Sequence, residues 1–226
     1  MIKLKWDKKQ LNFERVEWSG TDTQASRQIV FTIPTNHYDK HFKNVAIKLG
    51  DLVSLHDGKN TLFVGVVTSR EKTAAIGTTS YTAKDFMHYL LRSNTSRIFR
   101  NRTPEQITKQ LCKEAGIKYS NLVSTGVNIP KLIFDDQCIY DIIVKAYRKA
   151  MATTKKKYMP VMDGKKFSVI IKGKDSKVTL DQGKDITDAS YTDTTDNMVN
   201  LVRIYNDKKK QLGVVEKKSL AQKYGI

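Results

Sequence analysis

Histidine is the side chain best suited to metal binding and proton transfer near neutral pH, and the chain has four: His37, His41, His56 and His88. The first two are four residues apart, which on a helix would place both on one face, as in a metal-binding pair. However, Pro34 precedes them and no glutamate lies between them, so we expect a loop without a metal. His56 ends a predicted hairpin arm and His88 lies in a predicted helix, so we interpret both as surface or helix-flank residues.

Carboxylates that could act as a general acid and base are grouped at two places. Asp135 and Asp136 are adjacent, and Asp188, Asp193 and Asp196 form a looser cluster near the C-terminus. A glycosidase would need two of them held across a cleft, and nothing in the sequence argues for that arrangement. Helix capping and turn formation explain these residues better, so we predict no catalytic carboxylate.

Motifs for phosphate binding and nucleophilic catalysis are absent from the sequence. Gly164-Lys165-Lys166 lacks the upstream glycine and the Ser/Thr of a P-loop, and no Gly-x-Ser-x-Gly elbow occurs. Cys112 and Cys138 lack the close Cys/His spacing of a zinc site, and we interpret both as small buried hydrophobic residues in a reducing cytoplasm. We therefore predict a protein that is not an enzyme, with no catalytic, cofactor-binding or metal-binding residues and no cofactor.

The net charge is +17, from 40 Lys plus Arg and 23 Asp plus Glu, and it raises nucleic acid or an acidic partner as a question. The lysine runs at 155–157 and 208–210 lie beside predicted turns or strand ends. They are not interleaved with stacking aromatic residues, as a surface for single strands would need. Solvated lysine-rich faces explain the charge better, so we do not expect nucleic-acid binding. A basic nucleic-acid-binding β-barrel module remains the alternative function.

Hydrophobic residues make up 39% of the 226 residues, enough for the core of one large domain or of two to three small ones. They occur in short bursts, and none approaches the roughly 20 consecutive apolar residues that span a bilayer. Residues 1–13 alternate apolar and charged side chains. We therefore expect neither a membrane span nor a signal peptide.

Residues 1–81 predict antiparallel β-structure. The predicted strands are 1–6, a looser segment at 13–18, 28–33, 51–56 and 61–69. The third should stop at Pro34, because proline cannot donate to a strand ladder. The last two form a hairpin around 57–60, where Gly58 can adopt a positive φ. Gly65 lies in the middle of the returning arm and predicts a bulge or a bend that closes a small barrel.

Residues 82–151 predict three helices. The first should begin after Thr82, with Asp85 at the third position of an imperfect capping box. The second has Thr103 as its N-cap, Pro104 at its first position and a glycine at its end. The third should start near Asp135-Asp136, because acidic residues suit the positive end of a helix.

Residues 158–172 predict a hairpin, and β-structure continues to the C-terminal region. The predicted elements are strands at 177–180, 189–192, 198–205 and 211–216, and a short helix at 219–224. A closed barrel needs more strands than these, since closure couples strand number to tilt and stagger. We therefore expect an incomplete second barrel in a shortened chain. The lysines at 208–210 and 217–218 should block its open sheet edges against pairing. We expect this chain alone to be monomeric or weakly associated.

Several segments, in this order and spacing, resemble a known family of phage tail proteins. Residues 49–53 (LGDLV) and 61–67 (TLFVGVV) are similar to the barrel hairpin of tail hub proteins. The helix-plus-hairpin unit of the same family resembles 139–143 (IYDII) with 156–158 (KKY) and 163–165 (DGK).

The opening of that family's second barrel resembles 185–191 (DITDASY) and 197–202 (NMVNLV). The group is the XkdQ/YqbQ group of PBSX-like prophages, related clostridial phages and R-type bacteriocins. It is more distantly similar to late control D proteins and the hub part of type VI secretion spikes. Members usually run further than this chain.

The resemblance implies an α+β, mainly β fold of three domains: a tail-tube-like β-barrel at 1–81, a helical insertion with a hairpin at 82–176, and the start of a second such barrel at 177–226. It implies a structural baseplate hub of a contractile tail. Three copies would form a ring between the hexameric tube and the trimeric spike, since three subunits with two barrels each present six. The implied partners are the tube, spike and other baseplate subunits. The implied location is the virion tail, assembled in the host cytoplasm.

A third function, peptidoglycan hydrolysis, comes from the lytic domains that some tail hubs and spikes carry. No Glu/Asp, Cys/His or zinc constellation in this sequence supports it, and a cell-wall turnover assay would test it.

Overall fold

The structure is a computed structural model that describes the chain except residues 22–24, 37, 73–76, 174–178, 180, 182, 185, 187, 189, 191 and 226. Strands make up 47% and helices 19%, which confirms the mainly β class. The chain packs as two compact units, Met1–Lys174 and Asp175–Ile226.

The first seven strands form one antiparallel sheet that curls into a half-barrel. They are β1 (Ile2–Trp6), β2 (Lys9–Leu11), β3 (Arg15–Ser19), β4 (Gln28–Thr35), β5 (Leu52–Asp57), β6 (Asn60–Lys72) and β7 (Gly77–Asp85). The order across the sheet is β2-β1-β5-β6-β7-β4-β3. The two edge strands are consecutive in the chain, and Leu11 and Arg15 lie only four residues apart. These edges must therefore come within about 14 Å of each other, which forces the sheet to curl.

Alternating side chains build the core of this sheet. In β4, Ile29, Phe31 and Ile33 are fully buried, and the residues between them are only partly covered. Phe31 stacks on Tyr81 of β7 with ring centroids 5.3 Å apart. The strict alternation fixes the register, since a slip by one residue would expose the whole apolar set.

The prediction that the third strand stops at Pro34 is wrong, because β4 continues to Thr35. The carbonyl of Thr32 accepts the N–H of Glu14 at 2.9 Å, so the backbone groups of Thr32 and Pro34 face the β3 side of the sheet. Pairing with β3 ends at Thr32. On the β3 side, no strand among the described residues pairs with Pro34, so the missing N–H of this proline costs no ladder hydrogen bond there.

The middle of the chain has the three predicted helices and the predicted hairpin, joined by strands that the sequence did not indicate. The elements are α1 (Met87–Arg92), β8 (Asn94–Arg102), α2 (Pro104–Glu114), β9 (Lys118–Leu122), β10 (Ile129–Cys138), α3 (Ile139–Thr154), β11 (Tyr158–Asp163) and β12 (Lys166–Ile171). Strands β8 and β10 pair as a two-stranded ribbon, and β9 joins the β11–β12 hairpin parallel to β12. The buried faces of the helices share one core with these strands, including Ile107, Leu111, Ile142, Ala146 and Phe167.

Two of the predicted helix starts are wrong and one is confirmed. Strand β7 continues through Asp85, so Thr82 lies in a strand and α1 begins at Met87. Asp135-Asp136 lie at a bulge in β10, and α3 begins at Ile139. In α2 the predicted cap is present. The Thr103 side chain accepts the N–H of Gln106, the third helical residue, and the Gln106 side chain accepts the N–H of Thr103.

The second unit contains one hairpin and one short helix among its described residues. These are β13 (Leu201–Tyr205), β14 (Gln211–Glu216) and α4 (Lys218–Tyr224), which confirm the predicted elements there. The strands predicted at 177–180 and 189–192 consist mostly of residues outside the described part of the chain. Within the described part of the chain, no helix is long and apolar enough to cross a membrane.

Candidate assembly interface

His56 and His88 are held in ordinary strand and helix positions. His56 shares hydrogen bonds with Ser54 at 2.9 Å and with Thr61 at 3.2 Å. Burial, and then the nearby Lys5, lower the pKa of His56. Burial also lowers the pKa of His88, with smaller effects from neighbouring basic residues. Both side chains are therefore neutral around pH 7.

The predicted loop pair and the cysteines show no metal-binding geometry among the residues that the structure describes. His41 is exposed in a loop, and His37 lies outside the described residues. Cys112 is fully buried in α2, and burial raises the pKa of its thiol to about 12, so it stays protonated. Cys138 is half-buried before α3, and burial raises its pKa too. No group of three or more His, Cys, Asp or Glu in the described part could hold a metal ion.

The paired carboxylates brace the β8–β10 ribbon. Asp135 accepts the hydroxyl of Ser96 at 2.8 Å, and Asp136 accepts the side-chain amide of Asn94 at 3.1 Å. Both residues are exposed on the ribbon, so they replace ladder bonds at the bulge and do not face a cleft.

The three aspartates clustered near the C-terminus lie outside helices and strands. Asp188, Asp193 and Asp196 are all exposed. The backbone N–H of Asp196 bonds to the hydroxyl of Thr194 at 3.1 Å, a local turn contact. Gly164, in the segment that lacks the complete P-loop pattern, forms the β11–β12 turn with φ +55°.

Asp85, expected from the sequence to cap the first helix, is a buried carboxylate that joins the half-barrel to the helical part of the first unit. Asp85 accepts the hydroxyl of Ser26 at 2.8 Å and the N–H groups of Arg27 and Met87, each at 3.1 Å. The Arg27 guanidinium lies 3.6 Å from the same carboxylate and donates to the carbonyl of Met162 in β11. Burial raises the pKa of Asp85, and these hydrogen bonds oppose that shift. The network connects the half-barrel to α1 and β11, so its role is structural.

The β8–β10 ribbon presents an apolar pair to solvent. Ile98 and Ile133 are cross-strand partners and are 58% and 59% exposed. Arg100 and Lys131, the next pair on the same face, are also exposed. The apolar pair and its basic border form a small exposed patch, which we take as a candidate contact surface for another protein.

The β13–β14 hairpin has exposed apolar residues on both faces. Val202 pairs with Val215 on one face, where Ile204 follows, and Val214 lies on the other. All four are exposed, Val215 by 63%. A hairpin alone is marginally stable in water, so these residues favour further strands or another chain as their cover.

A family model described as YQBQ-like matches residues 16–226. The chain belongs to the YQBQ-like family. This confirms the resemblance to the XkdQ/YqbQ group. The chain is 29% identical over 217 residues to phage-like element PBSX protein XkdQ of Bacillus subtilis (strain 168), covering 94% of this chain and 66% of XkdQ. It is 28% identical to the protein YqbQ of the same strain, covering 94% of this chain and 65% of YqbQ. The chain therefore spans just under two thirds of the length of these relatives.

Solved structures share the fold of this YQBQ-like chain. The 43 kDa tail protein of prophage MuSo2 from Shewanella oneidensis superposes with a TM-score of 0.75 at 14% identity, over 97% of this chain and 69% of that protein. A tail protein from Neisseria meningitidis MC58 gives 0.66 at 13% identity, over 96% and 67%. Prophage tail protein gp18 from Listeria monocytogenes EGD-e gives 0.54 at 12% identity, over 95% and 63%.

Proposed function

We propose that this chain is a structural component of a phage-like tail and, more specifically, a subunit of the baseplate hub. Three copies form a ring that joins the tail tube to the spike. Membership of the family of PBSX protein XkdQ and the shared fold with three tail proteins, two of them from prophages, support the tail role. The location is then the virion tail, and the chain catalyses no reaction.

The observation that carries the hub role is that both units contain strands whose edges or apolar faces are left uncovered among the described residues. The edge strands β2 and β3 of the half-barrel have no further strand beside them among the described residues, and the β13–β14 hairpin exposes apolar residues on both faces. Edge strands and bare apolar faces invite pairing with other strands, and ring assembly buries such surfaces between copies. The domains we propose are a first barrel at 1–81, a helical insertion at 82–176 and the start of a second barrel at 177–226.

The test removes two of the three exposed apolar side chains from the hairpin face that carries Val202, Ile204 and Val215. Val202→Ser with Ile204→Ser should abolish association with the tube, spike and other copies, measured by light scattering on the co-expressed proteins. Gln211→Ser, an exposed polar position in the same hairpin, should leave the assembly mass unchanged. Unchanged assembly in the double variant would refute the role given to this face.

A further inference from the structure

A groove runs along the free edge of β11, where α3 bounds its first part and the half-barrel with Asp85 and the start of α1 bounds its second part. It consists of two adjoining pockets of about 260 Å³ and about 310 Å³, which share Tyr140, Met159 and Pro160. Strand β11 is the outer strand of its three-stranded sheet, so the groove follows a strand edge without a neighbouring strand among the described residues.

This edge is unfavourable for the addition of a strand. The N–H of Lys172 donates to the carbonyl of Lys157 at 2.8 Å, which sets the alternation, so Pro160 and Met162 direct their backbone groups to the free edge. Proline has no N–H to offer a partner strand, and the Met162 carbonyl already accepts from Arg27. These two residues hinder the addition of a strand, so an occupant binds chiefly through side chains.

The first pocket combines an apolar floor with a basic rim. Val144, Met151 and Met159 supply aliphatic and thioether surface, which adapts to an inserted side chain. Arg148 and Lys157 are exposed at the rim, and none of the described residues lining this pocket is acidic. Residues 1–174 contain 31 basic against 15 acidic residues, a net charge of +16, whereas 175–226 contain 9 against 8, a net charge of +1. The field around the groove therefore attracts an acidic partner.

The aromatic residues of the groove fit a protein better than a nucleic acid. Tyr147 is 3% exposed, and its ring packs against that of Tyr158 with centroids 5.2 Å apart. The Tyr158 hydroxyl bonds to Thr154 at 3.0 Å. These rings are held against each other and against α3, whereas single-strand binding needs ring faces that stack on bases.

We propose that this groove binds an acidic segment of a partner protein. The segment places an apolar side chain between α3 and β11 and its carboxylates against Arg148 and Lys157. This goes beyond the hub role, which assigns no partner to this face.

The test uses fluorescence anisotropy with a labelled seven-residue peptide that alternates acidic residues with leucine and phenylalanine. Arg148→Glu with Lys157→Glu should weaken its binding at least tenfold. Lys40→Glu with Lys43→Glu makes the same change in net charge at exposed loop positions and should change binding less than twofold. A peptide with serine in place of leucine and phenylalanine should bind the parent chain at least tenfold more weakly.

Equal weakening in the two double variants would overturn the proposal, because binding would then follow net charge alone. Absence of peptide binding to the parent chain would also overturn the proposal. So would a single-stranded oligonucleotide that binds the parent more tightly than the peptide does and loses this binding in the Arg148→Glu, Lys157→Glu variant. All four substituted residues are exposed, so thermal unfolding followed by circular dichroism should show both variants folded. The assay needs no ring, so its outcome is independent of the hub role.

Discussion

Gly65 is the position where the half-barrel leaves no room for a side chain. It pairs with Val53 on one side and with Asp85 on the other. A Cβ added here would lie 2.3 Å from the carbonyl oxygen of Lys84 and 2.6 Å from the ring of Phe63. The register shifts of β6 lie on either side of Gly65 and not at it, so the close approach of β7, and not a bulge at Gly65, explains the glycine.

The cost of Gly65→Ala follows from this crowding. The Lys84 carbonyl belongs to β7, which is paired on both sides, so it cannot retreat without disturbing two ladders. Overpacking costs about 1–3 kcal/mol, and a backbone clash belongs at the upper end. Alanine also lowers the conformational entropy of the unfolded chain, which by itself raises the free energy of unfolding by about 0.4–1 kcal/mol. The net loss should be about 2 kcal/mol, which lowers the Tm by roughly 4–8 °C for a chain of this size.

Urea unfolding followed by circular dichroism measures this loss, with Gly213→Ala as the matched control. Gly213 also lies inside a strand, but a Cβ there meets no atom within 4 Å, so the change in unfolding free energy should stay within about 1 kcal/mol. If Gly65→Ala were as stable as the parent, the contact between β6 and β7 would be looser than the structure shows.

Three further changes test other parts of the first unit by the same unfolding assay. Thr103→Ala removes the α2 cap and should cost about 1 kcal/mol, whereas Thr103→Ser should retain most of it; equal losses would argue against the cap. Asp85→Ala leaves buried donors without their acceptor and should cost about 3 kcal/mol; a loss below about 1 kcal/mol would contradict the network. The folded-state pKa values of His56 and His88 lie below 6.5, so the unfolded chain binds more protons and unfolding free energy falls as the pH drops below 6.5. Replacing both histidines with glutamine should reduce the loss between about pH 7.5 and about pH 5.5, and an unchanged loss would exclude them as its source.

Elements whose ends carry capping or turn residues could be predicted from the sequence. Helix α2 carries its cap and its terminal glycine within the segment, and the hairpins at Gly58 and Gly164 have turn residues with positive φ. In the second unit, strand β14 and the helix before Gly225 also follow local patterns. These signals depend on near neighbours in sequence, so they survive without knowledge of the fold.

Elements that depend on distant partners could not be predicted. Strand β8 buries only Phe99, so its mixed polar pattern carries no clear alternation. Residues 82–85 read as a helix because apolar residues follow at helical spacing, but pairing with β4 and β6 keeps them extended. The Asp85 network joins side chains and backbone groups that are separated by 58 or 59 positions in the sequence. The exposed residues Ile98 and Ile133 become neighbours only because β8 pairs with β10.

The most direct measurement of the hub proposal is electron microscopy of this chain purified after co-expression with the proteins encoded immediately upstream and downstream of it. We expect rings with three copies of the chain, stacked between tube-like and spike-like density. Particles that contain a single copy, or complexes with DNA that dissociate steeply as salt rises, would contradict it and favour the basic nucleic-acid-binding module.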